Sequence, residues 1–211
     1  MQYKNDATRQ DLVATWKKRA LSWSQLSSFS YSKDQWALKY IFNIIEEPNR
    51  DMIFGNVVGD SLGTPDSLVP MLNPHLLGVK EFELLAKLDK LQLIGFADHY
   101  CPDTLNLNEN KTSRRLNRWT QKEVDAHGQL TMYALMLMLT HKVKPEDLTI
   151  WLNFIPVRET QCFEMEVIYQ KLLPPRFRTT RTTRQCLEFG ATILKTLKEM
   201  ETYAYTVKPL A

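Results

Sequence analysis

The sequence predicts an α/β fold: a mixed central β-sheet flanked by helices. Runs with strand-like alternation occupy the middle of the chain, helix-period segments lie on either side of them, and helix-start signals recur between them. A first helix is expected over 7–20. A second begins at Ser22, where Ser22-x-x-Gln25 has the form of a capping box, and Leu26, Phe29, Trp36 and Tyr40 supply apolar anchors. A helix near 51–62 stops at Gly63-Thr-Pro65, and Pro65, Pro70 and Pro74 keep the next stretch out of regular structure. Strands follow near 79–87, 91–99 and 104–111 as an antiparallel meander, the first two joined tightly at Asp89-Lys90. Thr120-x-x-Glu123 opens a helix running to about Thr140, with Gly128 in its middle. Strands at 148–155 and 162–169 and a helix over 182–203 complete the order. No internal repeat or low-complexity tract is present.

Bulk properties bound the function without naming it. With 211 residues, 44% apolar and 24% charged, the chain suits one domain with a sizeable core. Cys101, Cys162 and Cys186 are widely separated and odd in number, which argues against a disulfide framework and against a Cys-x-x-Cys metal site. The expected compartment is reducing and cytoplasmic. The longest apolar run, Met132 to Leu139, is too short to span a bilayer, so no membrane association is expected. A net charge of +3 is too small to identify a nucleic-acid binder, so any such footprint must come from local clustering.

The chemistry concentrates in the middle strands. Asp98 ends the run Gln92-Leu-Ile-Gly-Phe-Ala-Asp98, and Glu109 and Lys111 close the next one. Side chains two apart on a strand share a face, so Glu109 and Lys111 point the same way and Asn110 the other. Adjacent strands would bring Asp98 beside them. Hard cations such as Mg²⁺ are held by one or two carboxylates and keep waters and phosphate oxygens in their other positions. A neighbouring Lys can orient an attacking water or stabilise charge on a phosphate. A solvent-facing ion pair on an edge strand is the plainer reading of Glu109 and Lys111. Gln129 and Tyr133, four apart on the helix after Thr120, read equally as a surface amide and a core ring with its hydroxyl at the rim. His99 should face away from Asp98 and is read as structural.

At these residues the chain resembles the PD-(D/E)XK nuclease superfamily, in its RecB-like exonuclease branch. The matches are Gly95-Phe-Ala-Asp98, Glu109-Asn-Lys111 and Gln129-Leu-Thr-Met-Tyr133. Leu21-Ser-Trp-Ser-Gln-Leu-Ser-Ser-Phe29 with Trp36 to Tyr40 resembles the family's N-terminal segment, and Phe54-Gly-Asn-Val-Val-Gly-Asp-Ser-Leu62 its "G-x-x-x-H-x-x-L" helix. The resemblance runs from about residue 21 to the end. It implies a restriction-endonuclease-like core over 51–211 beneath a helical cover over 1–50, together one domain spanning 1–211. It further implies a deoxyribonuclease of the exonuclease kind, in that branch's manner, dependent on Mg²⁺ or Mn²⁺. Asp98, Glu109 and the Asn110 carbonyl would ligate the metal, Lys111 would act on water or phosphate, and Gln129 and Tyr133 would position the DNA strand. The family's iron-sulfur variants carry four bracketing cysteines that this chain lacks, so no cluster is expected. One departure stands out: the His of the helix motif falls on Gly59, with Asp60 about a hundred degrees around the helix. A catalytically weak DNA-binding module that retains the nuclease fold is therefore the alternative.

Two basic stretches suggest where DNA would lie. Arg114, Arg115 and Arg118 with Trp119 follow the site strand, and Arg can grip phosphate with paired hydrogen bonds while Trp stacks on a base. Arg176, Arg178, Arg181 and Arg184 form the second stretch, with Arg178 and Arg181 as candidate contacts. There positive side chains oppose a helix dipole unless an anion binds, and a solvated basic loop is an equal reading.

Overall fold

The computed structural model describes residues 6–169 and 171–207. The helices are α1 (Asp6–Lys17), α2 (Trp23–Tyr31), α3 (Lys33–Tyr40), α4 (Arg50–Ser61), α5 (Gln121–Asp125), α6 (Gly128–His141) and α7 (Thr183–Thr206). The strands are β1 (Leu21–Ser22), β2 (Val79–Leu88), β3 (Leu91–Cys101), β4 (Asn106–Ser113), β5 (Thr149–Glu159), β6 (Met165–Val167) and β7 (Arg176–Thr179). They form one mixed sheet of seven strands, ordered β1-β3-β4-β5-β6, with β2 added on β3 and β7 on β5. The β1–β3 and β4–β5 pairs are parallel and the rest antiparallel. The chain is thus α/β with a mixed sheet flanked by helices, as its sequence predicts.

Alternation along β5 shows how the layers form. Ile150, Leu152 and Phe154 enter the main core with α6, whereas Ile155 and Val157 enter a second cluster with Val58 of α4, Leu62 at its C-terminal cap, and Leu72 and Leu76 beyond it. α6 is apolar all round because it is enclosed: residues 130–137 are all buried, between β2 and β3 on one side and α7 on the other. α7 buries the stripe Cys186, Gly190, Ile193, Met200 and Ala204, and its start is fixed by a capping box between Thr182 and Gln185. Over the N-terminal helices, Trp36 takes edge contacts from Trp16 and Phe29, each at 5.1 Å between ring centroids.

Several local expectations are corrected. The helix opened by the Thr120 capping box ends at Asp125, and a new one begins at Gly128. A Cβ on Gly128 would lie 2.3 Å from the Trp23 ring, so this glycine admits Trp23 at a helix start instead of sitting mid-helix. The proline-rich stretch holds a 3-10 helix, Pro70–His75, in which proline at the first position lacks no needed donor. At Ser22 only half of the box forms: its Oγ accepts from the Gln25 amide, but the Gln25 side chain turns to Trp16 and the Ala20 carbonyl. The strand expected over 162–169 is confined to Met165–Val167, and β1 and β7 were not foreseen at all.

Candidate active site

Three neighbouring strands deliver three carboxylates to one level of the sheet. The β2–β3 ladder pairs Lys80 with His99 and Phe82 with Ala97, which sets Glu81 opposite Asp98. The β3–β4 ladder pairs His99 with Asn108, and one further step sets Asp98 opposite Glu109. β3 and β4 part beyond the His99–Asn108 pair, whereas the β2–β3 ladder is interrupted only at Glu81 and resumes at Phe82. Glu81 takes a left-handed backbone conformation, φ 50°, which a non-glycine residue adopts only at some cost. Sequence reading missed Glu81. The signal was available, since the tight turn pairs Leu88 with Leu91 and counting back along both strands from it reaches Glu81 and Asp98 together.

Around these residues the polar contacts are close. Lys111 Nζ lies 2.5 Å from Glu109 Oε1, and the Glu109 side chain is 3% exposed. The Asn110 main-chain N–H donates to Asp98 Oδ2 at 2.6 Å. From α6 the Gln129 amide reaches Glu109 and donates to the Tyr133 hydroxyl at 2.7 Å, which donates to the Phe96 carbonyl at 2.6 Å. Tyr133 can lie on β3 only because residue 95 is glycine: a Cβ there would be 2.7 Å from its ring. His99 is buried, and burial together with the charge of Lys80 lowers its pKa to about 4, so it is neutral, in keeping with a structural role.

The electrostatics are unbalanced. Burial and the charge of Glu109 hold the Asp98 carboxyl well above its usual range, against the pull of the Asn110 amide. Burial also raises Glu109, with Lys111 opposing it. Burial alone would lower the Lys111 pKa, but the Glu109 and Asp98 carboxylates outweigh it and raise it. Glu109 Oε2 is buried with no hydrogen-bond partner among the described residues. An unpartnered buried carboxylate oxygen in an acid-rich pocket fits a cation. No group of three or more His, Cys, Asp or Glu side chains in metal-holding geometry occurs among the described residues. Two carboxylates and the Asn110 carbonyl remain, and that set is sufficient for Mg²⁺, which keeps several of its waters.

A cavity of about 910 Å³ opens over this floor. Asp51, Met52, Gly55 and Gly59 of α4 line one wall and Arg115 and Arg118 another. Gly55 permits close approach, a Cβ there being 3.0 Å from Thr112 Oγ1, whereas a Cβ on Gly59 would meet nothing within 4 Å. Asp60 is exposed on the same wall. Lys80 Nζ donates to the Asp60 and Leu62 carbonyls at 2.7 and 3.1 Å, capping the end of α4 beside Glu81.

The predicted basic contacts separate into different environments. Arg114 is engaged by protein, 2.5 Å from Asp51 of α4 and 2.9 Å from Glu159 of β5, and Arg50 joins the same Glu159 at 2.7 Å. Arg115 is exposed at the cavity rim. Arg118 lies there too, stacked on Trp119 at 4.4 Å and 3.7 Å from Glu123. Arg118 thus occupies one face of the Trp119 ring, which also meets His127 at 62° between ring planes. Arg178 is exposed on β7, outside the cavity lining. Arg181 is a correction. It is 1% exposed and donates to Thr131, Thr179 and the carbonyls of Thr180, Val124 and His127. Arg181 fills the break between α5 and α6, adding a second donor to the Val124 and His127 carbonyls that the His127 and Thr131 amides already reach.

No family model matches the chain, and no curated protein is similar enough in sequence to match. Among solved structures, a protein described as a "putative exonuclease" from Eubacterium rectale matches over 99% of this chain and 88% of its own, at 11% identity and a TM-score of 0.57. A phage related exonuclease from Haemophilus somnus 129PT matches over 97% and 88%, at 10% identity and a TM-score of 0.49. The alkaline exonuclease LHK-Exo from Laribacter hongkongensis matches over 92% and 94%, at 13% identity and a TM-score of 0.46. At such identities a likeness speaks for fold alone, and only the first is close enough to carry that: the chain shares its overall fold with the Eubacterium rectale protein.

Proposed function

We propose that this chain is a metal-dependent deoxyribonuclease of the PD-(D/E)XK type, hydrolysing phosphodiester bonds from DNA ends. The observation that carries the reading is the unpartnered Glu109 Oε2, buried beside Asp98 and Lys111 at the floor of a cavity edged by arginines. Asp98, Glu109 and the Asn110 carbonyl would hold Mg²⁺ or Mn²⁺, which when bound supplies Lewis-acid polarisation of a phosphate oxygen and a more acidic water. Lys111, kept charged by the two carboxylates, donates toward a non-bridging phosphate oxygen or holds the attacking water. Gln129 and Tyr133 brace Glu109 from α6. Arg115 and Arg118 supply phosphate contacts at the rim. The exonuclease description of the Eubacterium rectale protein that shares the fold supports action at ends.

The open space at Gly59 favours a second reading, a DNA-binding module with weak turnover. End-labelled linear and covalently closed circular DNA, incubated with purified protein and Mg²⁺, Mn²⁺ or EDTA, separates them. Shortening of the linear DNA alone, abolished by EDTA, is expected. Retarded but uncut DNA would favour the binding module, and neither binding nor cleavage would overturn both.

A further inference from the structure

We propose that Asn153 is a positioning residue for the cation site, acting through Asn110; the inference rests on the nuclease reading above. Asn110 and Asn153 face each other across the parallel β4–β5 pair, and Asn108 faces Trp151. The Asn153 amide donates to Asn110 Oδ1 at 2.8 Å and to Asn108 Oδ1 at 3.3 Å. Arg176 from β7 donates to Asn153 Oδ1 at 2.8 Å and to Asn108 Oδ1 at 3.3 Å while stacked on Trp151 at 4.3 Å. From Asn110 the path continues through the main-chain N–H to Asp98. One connected chain thus runs from Arg176 through Asn153 and Asn110 to a carboxylate of the site.

Stability does not account for this arrangement. Asn108 and Asn153 are fully buried, while their strand neighbours Leu107, Leu152, Phe154 and Ile155 are apolar. Replacing both partners of a buried hydrogen bond by apolar groups of like shape is close to neutral. The network is also incompletely satisfied: among the described residues Asn108 Nδ2 has no partner, nor has Nδ1 of His99, its register partner on β3. What the network does provide is orientation. Asn110 is the one residue whose N–H fixes Asp98 and whose carbonyl is a candidate ligand, and its side chain is anchored by Asn153. Cross-strand amide pairing limits how far the β4 peptides beside it can rotate. Groups that orient metal ligands in this way typically change metal affinity by 10–100-fold when removed.

The experiment measures Mg²⁺ and Mn²⁺ binding to the full, DNA-free chain by calorimetry, with melting and cleavage in parallel, for wild type, Asn153→Ala, Asn110→Ala and the double variant. Each single variant is expected to weaken ion binding by roughly 10-fold or more and to raise the metal concentration for half-maximal cleavage, with much of the rate regained at saturating metal. The double variant should be no weaker than the worse single, because both remove one link. Should Asn153→Ala fail to fold, half-buried Asn110→Ala decides alone. Folded single variants that bind the ion like wild type, or losses that multiply in the double, overturn the positioning role while leaving the nuclease reading intact. A wild type that neither binds a divalent ion nor cuts DNA overturns that reading and this inference with it.

Discussion

Lys111 and Arg181 both carry positive charge toward the interior, and the protein answers them differently. Lys111 is met by carboxylates, and after it is paired the acids still exceed it, with one Glu109 oxygen left over. Arg181 is met by neutral oxygens from α5, α6 and β7, with a partner at each of its three nitrogens. Unused capacity to bind a ligand distinguishes the first region, and saturation the second. Each of the two arginine-rich stretches likewise mixes engaged and exposed members, Arg114 with Arg115 and Arg181 with Arg178, and density of positive residues is a poor guide to where an anion binds.

The largest effect should come from the unsaturated region. Asp98→Ala, Glu109→Ala and Lys111→Ala should each cut metal-dependent cleavage by about 10²–10⁴-fold; melting temperature should hold or rise in Asp98→Ala, where a crowded buried carboxyl is removed, and fall in Lys111→Ala, which leaves Glu109 buried without its cation. Wild-type-like cleavage by any two of these at matched purity would sink the assignment. Arg181→Ala should act oppositely, costing about 3 kcal/mol in urea unfolding through its lost buried hydrogen bonds and the cavity left behind, with the folded fraction cleaving normally. A stable Arg181→Ala protein that had lost DNA binding would erase the contrast.

Smaller effects sharpen the comparison at the rim. Arg115→Ala with Arg118→Ala should flatten the salt dependence of DNA binding by roughly 0.9 log-log units per lost duplex contact, or about 0.7 on single strands. Arg114→Ala should change it less, since Asp51 and Glu159 already hold that guanidinium. An equal loss from Arg114 would show that substrate breaks those pairs. Least in magnitude, Gly59→His should raise activity or metal affinity relative to Gly59→Ala, the two sharing a helix stabilisation of up to about 1 kcal/mol. Identical behaviour of the pair would mean that no imaginable metal contact is gained at that wall.

The site was more legible than its surroundings. Asp98, Glu109 and Lys111 follow from strand period and a short turn, which are local rules. Glu81 needed register counted from Leu88 and Leu91 plus a left-handed residue, so it spans two levels of structure. The break at residues 126–127 escaped because a capping box marks where a helix starts and not where it ends, and the reason for Gly128 is Trp23, remote in sequence. β1 and β7, of 2 and 4 residues, are too short to display alternation and exist through the partners they pair with. The burial of Arg181 depends on that same unforeseen break.

The ion pairs of Arg114 give the mouth of the groove a property of its own. They tie α4 to β5 through partly exposed charges, and such contacts weaken as electrolyte is added. Ionic strength therefore acts on two equilibria at once, the hold of the rim on a phosphate backbone and the hold of the two walls on each other. The second exists without any DNA. A plot of affinity against salt for this protein contains a contribution from the width of its own entrance, and Arg114→Ala supplies the baseline from which that contribution is read.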